Sequence, residues 1–134
     1  MKLFFISIFS IVILTACNQE ISKDDMIHDM TPPDPLNYFT LYAISENENI
    51  REHNDIENIN QSLSDENRES LYHGGIIWAR DTKVENVIWD YTGNFDIESY
   101  PTFLVFDTKG LTLQTTDIDE VEDFLSTNKP AWRE

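Results

Sequence analysis

Cysteine is almost absent from this chain, since Cys17 is the only one among 134 residues. A single thiol cannot form the Cys-x-x-Cys pair of thiol–disulfide oxidoreductases, so the chain alone cannot carry out that redox exchange. Glycine is scarce as well, with four residues. These glycines form neither a phosphate loop nor a dinucleotide-binding pattern, and no Gly-x-Ser-x-Gly nucleophile elbow occurs. Several common enzyme signatures are therefore missing from the sequence.

Basic side chains are also few: nine Lys and Arg stand against 25 Asp and Glu, which gives a formal net charge of −16. Nucleic-acid binding depends on Lys and Arg that neutralise phosphates, and the sequence contains no basic cluster. The composition therefore excludes nucleic acid as a partner, and it excludes docking of the domain itself on anionic lipid. An acidic surface that stays soluble beside a crowded membrane is the simplest explanation, and a cationic partner is the alternative.

Long hydrophobic runs are absent too, because the apolar segment at residues 3–14 is shorter than the roughly 20 residues that span a bilayer. Lys2 precedes this segment, and the tripeptide Leu-Thr-Ala leads from it to Cys17. This arrangement resembles a bacterial lipoprotein signal peptide, whose basic start and apolar core are closed by a lipobox. The resemblance implies removal of residues 1–16 and acylation of Cys17, which anchors the protein on the extracytoplasmic side of the cell membrane. A secretory signal that leaves Cys17 as a free thiol is the alternative.

Residues 17–35 carry many charges and prolines and show no sustained hydrophobic periodicity. Proline has no backbone N–H to donate, so the three prolines between residues 32 and 35 block regular pairing. We therefore expect residues 17–35 to form a flexible tether that lifts a domain away from the lipid headgroups. A short helix over residues 24–30 is the alternative. Residues 36–134 are long enough to form one domain.

Within this domain, patterns typical of strands and helices follow one another. Aromatic and β-branched residues without glycine or proline predict a strand at residues 37–45. Apolar residues at helical spacing then predict a helix over residues 54–63. Further patterns predict strands at residues 75–80 and 84–91 joined as a hairpin, a second hairpin from residues 102–106 and 111–115, and a closing helix capped by Thr116. This order predicts an α/β domain with a small mixed sheet.

Residues 99–110, with the sequence SYPTFLVFDTKG, resemble the C-terminal half of thioredoxin-like proteins. The resemblance covers roughly residues 84–125 and implies a thioredoxin-like three-layer sandwich, in which a small mixed sheet is flanked by helices. It also implies a cis peptide bond before Pro101, a central strand after it, and an upstream strand at residues 87–90. The stretch that corresponds to the redox motif, residues 45–50, has the sequence SENENI and contains no cysteine. The chain therefore departs from the family at the redox site.

The best candidate for a functional site is the surface around Tyr100, Pro101 and Thr102. In thioredoxin-like proteins the backbone beside the cis-proline pairs with an extended peptide, which is a form of strand addition. We expect this binding groove to persist here without redox chemistry.

Other candidate sites are weaker. The histidines lack the spacing of zinc ligands, and the acids at residues 117–121 break the calcium-loop pattern. Two tryptophans, Trp78 and Trp89, are expected in the core beside the sheet, and Trp132 is expected to cap the core near the C-terminus, with a binding role as the alternative. These side chains are His28, His53, His73, Trp78, Trp89 and Trp132. The sequence thus predicts no metal site, no cofactor and no catalytic residue.

Two classes of function remain. The first is a lipid-anchored, non-enzymatic binding or structural module of the bacterial cell envelope, which docks an envelope protein or peptidoglycan. The second is an accessory subunit of an envelope thiol–disulfide or cytochrome-assembly system, with the reactive cysteines on its partner. An independent hydrolase is less favoured. The layout is also similar to that of the small peptidoglycan-associated lipoproteins of low-GC Gram-positive bacteria, which favours the first class.

Overall fold

A computed structural model describes residues 18–46 and 53–133 of the chain. The predicted signal peptide and Cys17 lie outside these residues. None of the described helices is long and apolar enough to cross a membrane. In chain order the elements are β1 (Gln19–Glu20), α1 (Lys23–Met30), β2 (Thr40–Ser45), α2 (His53–Gln61), α3 (Asp65–Glu69), β3 (Ile77–Arg80), β4 (Thr82–Val84), β5 (Val87–Trp89), α4 (Tyr91–Asn94), β6 (Thr102–Asp107), β7 (Gly110–Thr115), α5 (Ile118–Thr127) and a 3-10 helix (Ala131–Arg133).

Four of the strands form a mixed sheet with the spatial order β3-β2-β6-β7. β3 is parallel to β2, β6 is antiparallel to β2, and β7 is antiparallel to β6, so β6 runs against the other three strands. Ile44 of β2 pairs with Thr102 of β6, and Ser45 pairs with Arg80 of β3. The ends of β2 and β3 and the beginning of β6 therefore meet at one end of the sheet, which we call the upper edge.

The side chains of the central strands alternate between two apolar clusters on opposite faces of the sheet, because successive residues of a strand point to opposite sides. From β6, Phe103 and Val105 enter one cluster, and Leu104 and Phe106 enter the other. The first cluster contains residues of α5 and of the α2–α3 region, and the second contains residues of α1 and α4. Each fully buried Phe or Leu contributes about 1.5–3 kcal/mol. Helices on both faces supply the apolar surface that makes this burial complete.

The remaining strands form a second sheet, with the order β1-β5-β4, and this pairing corrects the predicted hairpin of residues 75–80 and 84–91. β3 pairs in parallel with β2 instead, while β4 and β5 form their own antiparallel hairpin around Glu85 and Asn86. The strand upstream of β6 in the main sheet is consequently β3, and not residues 87–90 as expected. The local sequence pattern identified strands in this region but not the strands they pair with, because strand pairing is decided by the packing of elements that are distant in sequence.

Residues 19–30 are packed into the domain, which corrects the prediction of a flexible tether over residues 17–35. The side chain of Ser22 caps α1 by accepting a hydrogen bond from a backbone N–H of its first turn. Met26 is fully buried in the second cluster, and Met30 is nearly so. Their i, i+4 spacing places both side chains on one face of the helix. The short-helix alternative therefore describes this segment, and the packed domain begins well before residue 36.

The last hairpin and the closing helix agree with the sequence prediction except at one cap. The turn between β6 and β7 ends at Gly110, whose φ of 127° is a conformation that favours glycine. α5 begins after Asp117, whose carboxylate accepts a hydrogen bond from Asp119 N at 2.9 Å. The predicted cap, Thr116, lies one residue too early. Aspartate at this position also suits the positive end of the helix dipole.

Candidate functional site

The upper edge brings together two segments that are more than 50 residues apart in sequence. Because Ile44 pairs with Thr102, the antiparallel register carried one residue further places Ser45 opposite Pro101. The peptide bond between Tyr100 and Pro101 is cis, which is the geometry that the thioredoxin-like resemblance implies. The segment predicted as a groove and the first residues of the SENENI stretch are therefore neighbours.

The side chain of Tyr100 lies at the surface of this edge and is held in position by a short chain of hydrogen bonds. It is 37% exposed, and its phenol oxygen is 2.6 Å from the hydroxyl oxygen of Thr92. The backbone N–H of Thr92 in turn donates to a carboxylate oxygen of Asp81 at 3.0 Å. Nothing in the sequence pattern indicated Thr92 or Asp81, because they belong to α4 and to the loop after β3. The contact arises only when these segments fold against β6.

Thr102 plays a different part from the one expected, because its side chain is turned inward. It is only 3% exposed, and its hydroxyl donates to the backbone oxygen of Ser99 at 2.7 Å. This bond closes the bend that carries the chain through Pro101 into β6. Thr102 therefore shapes the edge, whereas Tyr100 and the half-buried Pro101 supply its accessible surface.

Ser45 ends β2 at the beginning of the SENENI stretch, which the sequence resemblance aligns with a redox motif. Its hydroxyl donates to the backbone oxygen of Ala79 at 3.3 Å, and the side chain is buried. The next residue, Glu46, is exposed, and residues 47–50 lie outside the described residues. An inward-facing hydroxyl that is bonded to the neighbouring strand has no free position from which to attack a substrate.

A cavity of about 510 Å³ that is wide open to solvent lies beside the upper edge, between the end of β3 and the second sheet. It contains both charge signs and one aromatic ring: its lining residues are Arg80, Asp81, Thr82, Lys83, Ile88, Trp89 and Asp90. Asp81 belongs both to this cavity and to the hydrogen-bond chain that ends at Tyr100. The candidate surface therefore extends from Tyr100 into a charged cleft that the sequence did not predict.

Two tyrosines beneath this surface, Tyr42 and Tyr91, are partly buried and pack against the second cluster. Burial raises the pKa of Tyr42, and the neighbouring Tyr91 and Asp29 raise it further. Burial likewise raises the pKa of Tyr91, with added contributions from Asp29 and Asp81. A phenol whose pKa lies above 10 is protonated at neutral pH. Both side chains are therefore neutral; Tyr91 stacks on Trp89 with ring centroids 6.2 Å apart, and Tyr42 packs edge-on against Phe106.

Among the side chains that the structure describes, the histidines and tryptophans lie apart from one another. His28 and His73 are exposed on different elements, and His53 lies in the first turn of α2. Among the described residues, no group of three or more His, Cys, Asp or Glu side chains is arranged to hold a metal ion. Trp78 packs against the first cluster and Trp89 against the second, whereas Trp132 is exposed near the C-terminus.

No protein-family model, no curated protein and no solved structure matches this chain. The candidate site is therefore described only from the positions and contacts of this chain's own residues. The structure places Tyr100 and Pro101 on an accessible edge, turns Thr102 inward, and adds Thr92, Asp81 and the cleft beside them.

Proposed function

We propose that the protein is a lipid-anchored binding module of the bacterial cell envelope, with a thioredoxin-like domain that has no redox or other enzymatic activity of its own. Its binding surface is the upper edge, centred on Tyr100 and Pro101. The observation that carries this proposal is an exposed tyrosine, hydrogen-bonded through its hydroxyl to Thr92, at the bend that enters the antiparallel strand of a mixed four-stranded sheet.

The strand order supports the thioredoxin-like, three-layer assignment. A β-α-β unit provides parallel β2 and β3, and a β-hairpin followed by a helix provides β6, β7 and α5. Helices pack on both faces of the sheet these units form. Pro101 stands where the resemblance expects a proline, immediately before the strand that runs against the others. The small sheet β1-β5-β4 is an addition to that scheme.

The proposed lack of thiol–disulfide exchange by this chain is supported by its composition. The sequence contains one cysteine, at position 17, and none in the stretch SENENI at residues 45–50. Thiol–disulfide exchange requires a thiolate as nucleophile. Ser45, with its hydroxyl bonded to Ala79, does not replace that thiolate.

The surface chemistry supports recognition of a protein segment. Tyrosine combines a large apolar ring with a polar tip, and it is enriched in protein interfaces. Immobilising a side chain on binding costs about 0.5–1.5 kcal/mol, and the bond from Tyr100 to Thr92 reduces that cost because the ring is already oriented. The neighbouring cleft offers Lys83 and Asp90 for polar contacts. An extended partner segment lying along Pro101 fits this arrangement.

The anchor is supported by the lipobox that ends at Cys17 and is tested by mass spectrometry. In the protein purified from bacterial membranes, we expect the N-terminal peptide to begin at Cys17 and to carry acyl chains. Cys17→Ala is the control. This substitution should abolish acylation, and the protein should then be released from the membrane. An unmodified Cys17 in the wild-type protein would exclude the anchor and leave the domain proposal standing.

The groove is tested by photo-crosslinking in living cells. A photoreactive residue replaces Tyr100 in one strain and Tyr72 in another, because Tyr72 is at least as exposed and lies beside the start of β2 at the opposite end of the sheet. We expect a discrete adduct from position 100 and not from position 72. An adduct with a thiol oxidoreductase would favour the accessory-subunit alternative, and an adduct with another envelope protein or with peptidoglycan would favour the binding module. Equal labelling at both positions, or none at position 100, would reject the groove.

A further inference from the structure

The ordered domain begins almost at the predicted lipid anchor. The backbone N–H of Gln19, two residues after Cys17, donates to Asn86 O at 2.6 Å. The N–H of Ile21 donates to Ile88 O at 3.0 Å, so β1 is held against β5 at both of its ends. Burial of the methionines of α1 in the second cluster then continues the attachment. From residue 19 to the end of α1, the chain therefore contains no flexible linker.

The length of the connection decides where the domain lies. Two residues reach at most about 7 Å, whereas a flexible chain over residues 17–35 would span about 23 Å on average. The headgroup layer of a bilayer leaflet is about 5–8 Å thick. The acyl chains of a lipidated cysteine lie in the hydrocarbon, so the cysteine itself lies at its border with the headgroups. A connection of two residues therefore ends within or just above the headgroup layer.

We propose that the tip of the β4–β5 hairpin, residues 84–86, together with β1, is a membrane-apposed surface that contacts phospholipid headgroups. This inference rests on the lipid anchor of the proposed function. The register of β1 places Gln19 opposite Val87 and beside Asn86, so the anchor emerges at the hairpin tip and not at the opposite end of β5. Val84 at this tip is 60% exposed, which is unusual for an apolar side chain of this protein.

The charge of the tip indicates that the anchor, and not affinity for lipid, holds it there. Lys83 is exposed and can approach a phosphate group, but Glu85 at the hairpin tip and Glu20 on the far side of β5 are also exposed. A chain with a net charge of −16 gains no attraction from an anionic surface. The apposition is therefore enforced by covalent length, and a longer connection should abolish it.

This orientation also restricts the partner of the groove. β4 begins two residues after β3 ends, so the hairpin extends from the upper edge, the same end of the sheet that carries Tyr100. Trp89 of the cleft lies two residues, about 7 Å, beyond Val87 along β5. The groove is thus in the half of the domain that is nearer the bilayer, which favours the membrane-adjacent segment of another envelope protein as its occupant.

The test measures the distance of two labelled positions from the headgroups in the full-length lipidated protein. Because the only native cysteine is the acylated one, Val84→Cys and His73→Cys each introduce a single site for a fluorescent probe. His73 is exposed beside the start of β2, about 20 Å from the upper edge by the length of that strand. The proteins are reconstituted in vesicles of phosphatidylethanolamine and phosphatidylglycerol that contain a lipid with a nitroxide on its headgroup, which quenches nearby probes.

We expect quenching at position 84 to exceed that at position 73 several-fold. Insertion of a flexible Gly/Ser linker of about 20 residues between Cys17 and Asn18, which reaches about 25 Å, should bring the two positions to similar, weak quenching. This variant leaves the domain itself unchanged.

The outcomes separate this inference from the proposed function. Equal quenching at both positions in an acylated, vesicle-bound protein would overturn the apposition while leaving the anchor and the groove intact. Strong quenching at position 84 that persists with the linker would overturn the covalent-length argument and indicate lipid affinity. Absence of acylation, measured by mass in the same sample, would remove both the anchor and the apposition.

Discussion

Two hydrogen-bond networks at opposite ends of the four-stranded sheet differ in their burial. At the lower edge, where β2 begins, the amide of Asn67 donates to the backbone oxygen of Glu122 at 3.1 Å and to the hydroxyl of Ser126 at 2.9 Å. Asn67 is 1% exposed, and its carbonyl oxygen accepts a hydrogen bond from Arg133, whose side chain is 5% exposed. At the upper edge, the bond between Tyr100 and Thr92 is open to solvent.

The difference shows how burial separates stabilising polar groups from available ones. A buried group that loses its partner keeps its desolvation penalty, whereas an exposed group exchanges its partner for water at little cost. The lower network joins α3, α5 and the 3-10 helix, and all of its members are paired. The upper chain orients a surface residue without contributing much to stability. A binding site in this protein is therefore expected where side chains are ordered and still accessible.

Among the tests of this comparison, we expect the largest effect on stability from the removal of the Asn67 side chain. Asn67→Ala removes both donors and the acceptor for Arg133, and we expect a loss of about 3 kcal/mol in the free energy of unfolding. Asn128→Ala is the matched control, since its amide bonds to Phe124 O in an exposed position, and it should cost less than about 1 kcal/mol. Urea denaturation followed by tryptophan fluorescence measures both. Similar losses of unfolding free energy for the two variants would contradict the distinction between buried and exposed hydrogen bonds.

The next largest effect concerns Arg133, the cation of the lower network. Its guanidinium donates to Asn67 and to the hydroxyl of Ser70, and lies 3.7 Å from a carboxylate oxygen of Glu66. Arg133→Lys keeps the charge but not the planar fork, so we expect a loss of about 2 kcal/mol in unfolding free energy. Lys129→Ala breaks only an exposed ion pair with Glu66 and should change stability by less than about 0.5 kcal/mol. A lysine variant as stable as wild type would show that charge alone suffices.

Alkaline pH should weaken the domain through the tyrosines beneath the upper edge. The pKa values of Tyr42 and Tyr91 are raised in the folded protein, mainly by burial. The unfolded chain ionises first, near pH 10, so the free energy of unfolding is unaffected below that pH and falls as pH rises through and beyond it. Stability measured from pH 8 to pH 11 should show this decline. Tyr42→Phe and Tyr91→Phe should each make this decline in stability shallower. An unchanged slope in both variants would show that these tyrosines do not cause the decline.

The smallest effect on stability, and the one that tests the groove, is expected for Tyr100. Tyr100→Ala removes a partly exposed ring and its bond to Thr92, with a cost of less than about 1 kcal/mol. The yield of partner adduct from a photoreactive residue at the exposed Glu46 should nevertheless fall strongly. Tyr72→Ala, at the other end of the sheet, should leave that yield unchanged. If both variants have the same yield as the parent protein, the upper edge is not the binding surface.

Much of the secondary structure could be predicted because the signals are local. The strand at residues 102–106, its partner at residues 111–115 and the closing helix follow from runs of apolar and branched residues and from a glycine turn. The parallel position of β3 could not be predicted in this way, because several strands of similar composition compete for the same partner. The burial of Met26 could not be predicted either. Two methionines at i, i+4 spacing are too short a hydrophobic pattern to indicate a packed helix among so many polar residues.

By itself, the sequence determined that this chain has one thiol, placed just after an apolar segment and the tripeptide Leu-Thr-Ala, and that its elements alternate in the manner of a small α/β domain. These properties depend on composition and on spacing along the chain. Only the tertiary structure decided that the segment after Cys17 is packed, that Thr102 faces inward, and that Thr92 and Asp81 orient Tyr100. Each of these depends on contacts between residues distant in sequence, whose energy appears only when the core has brought them together.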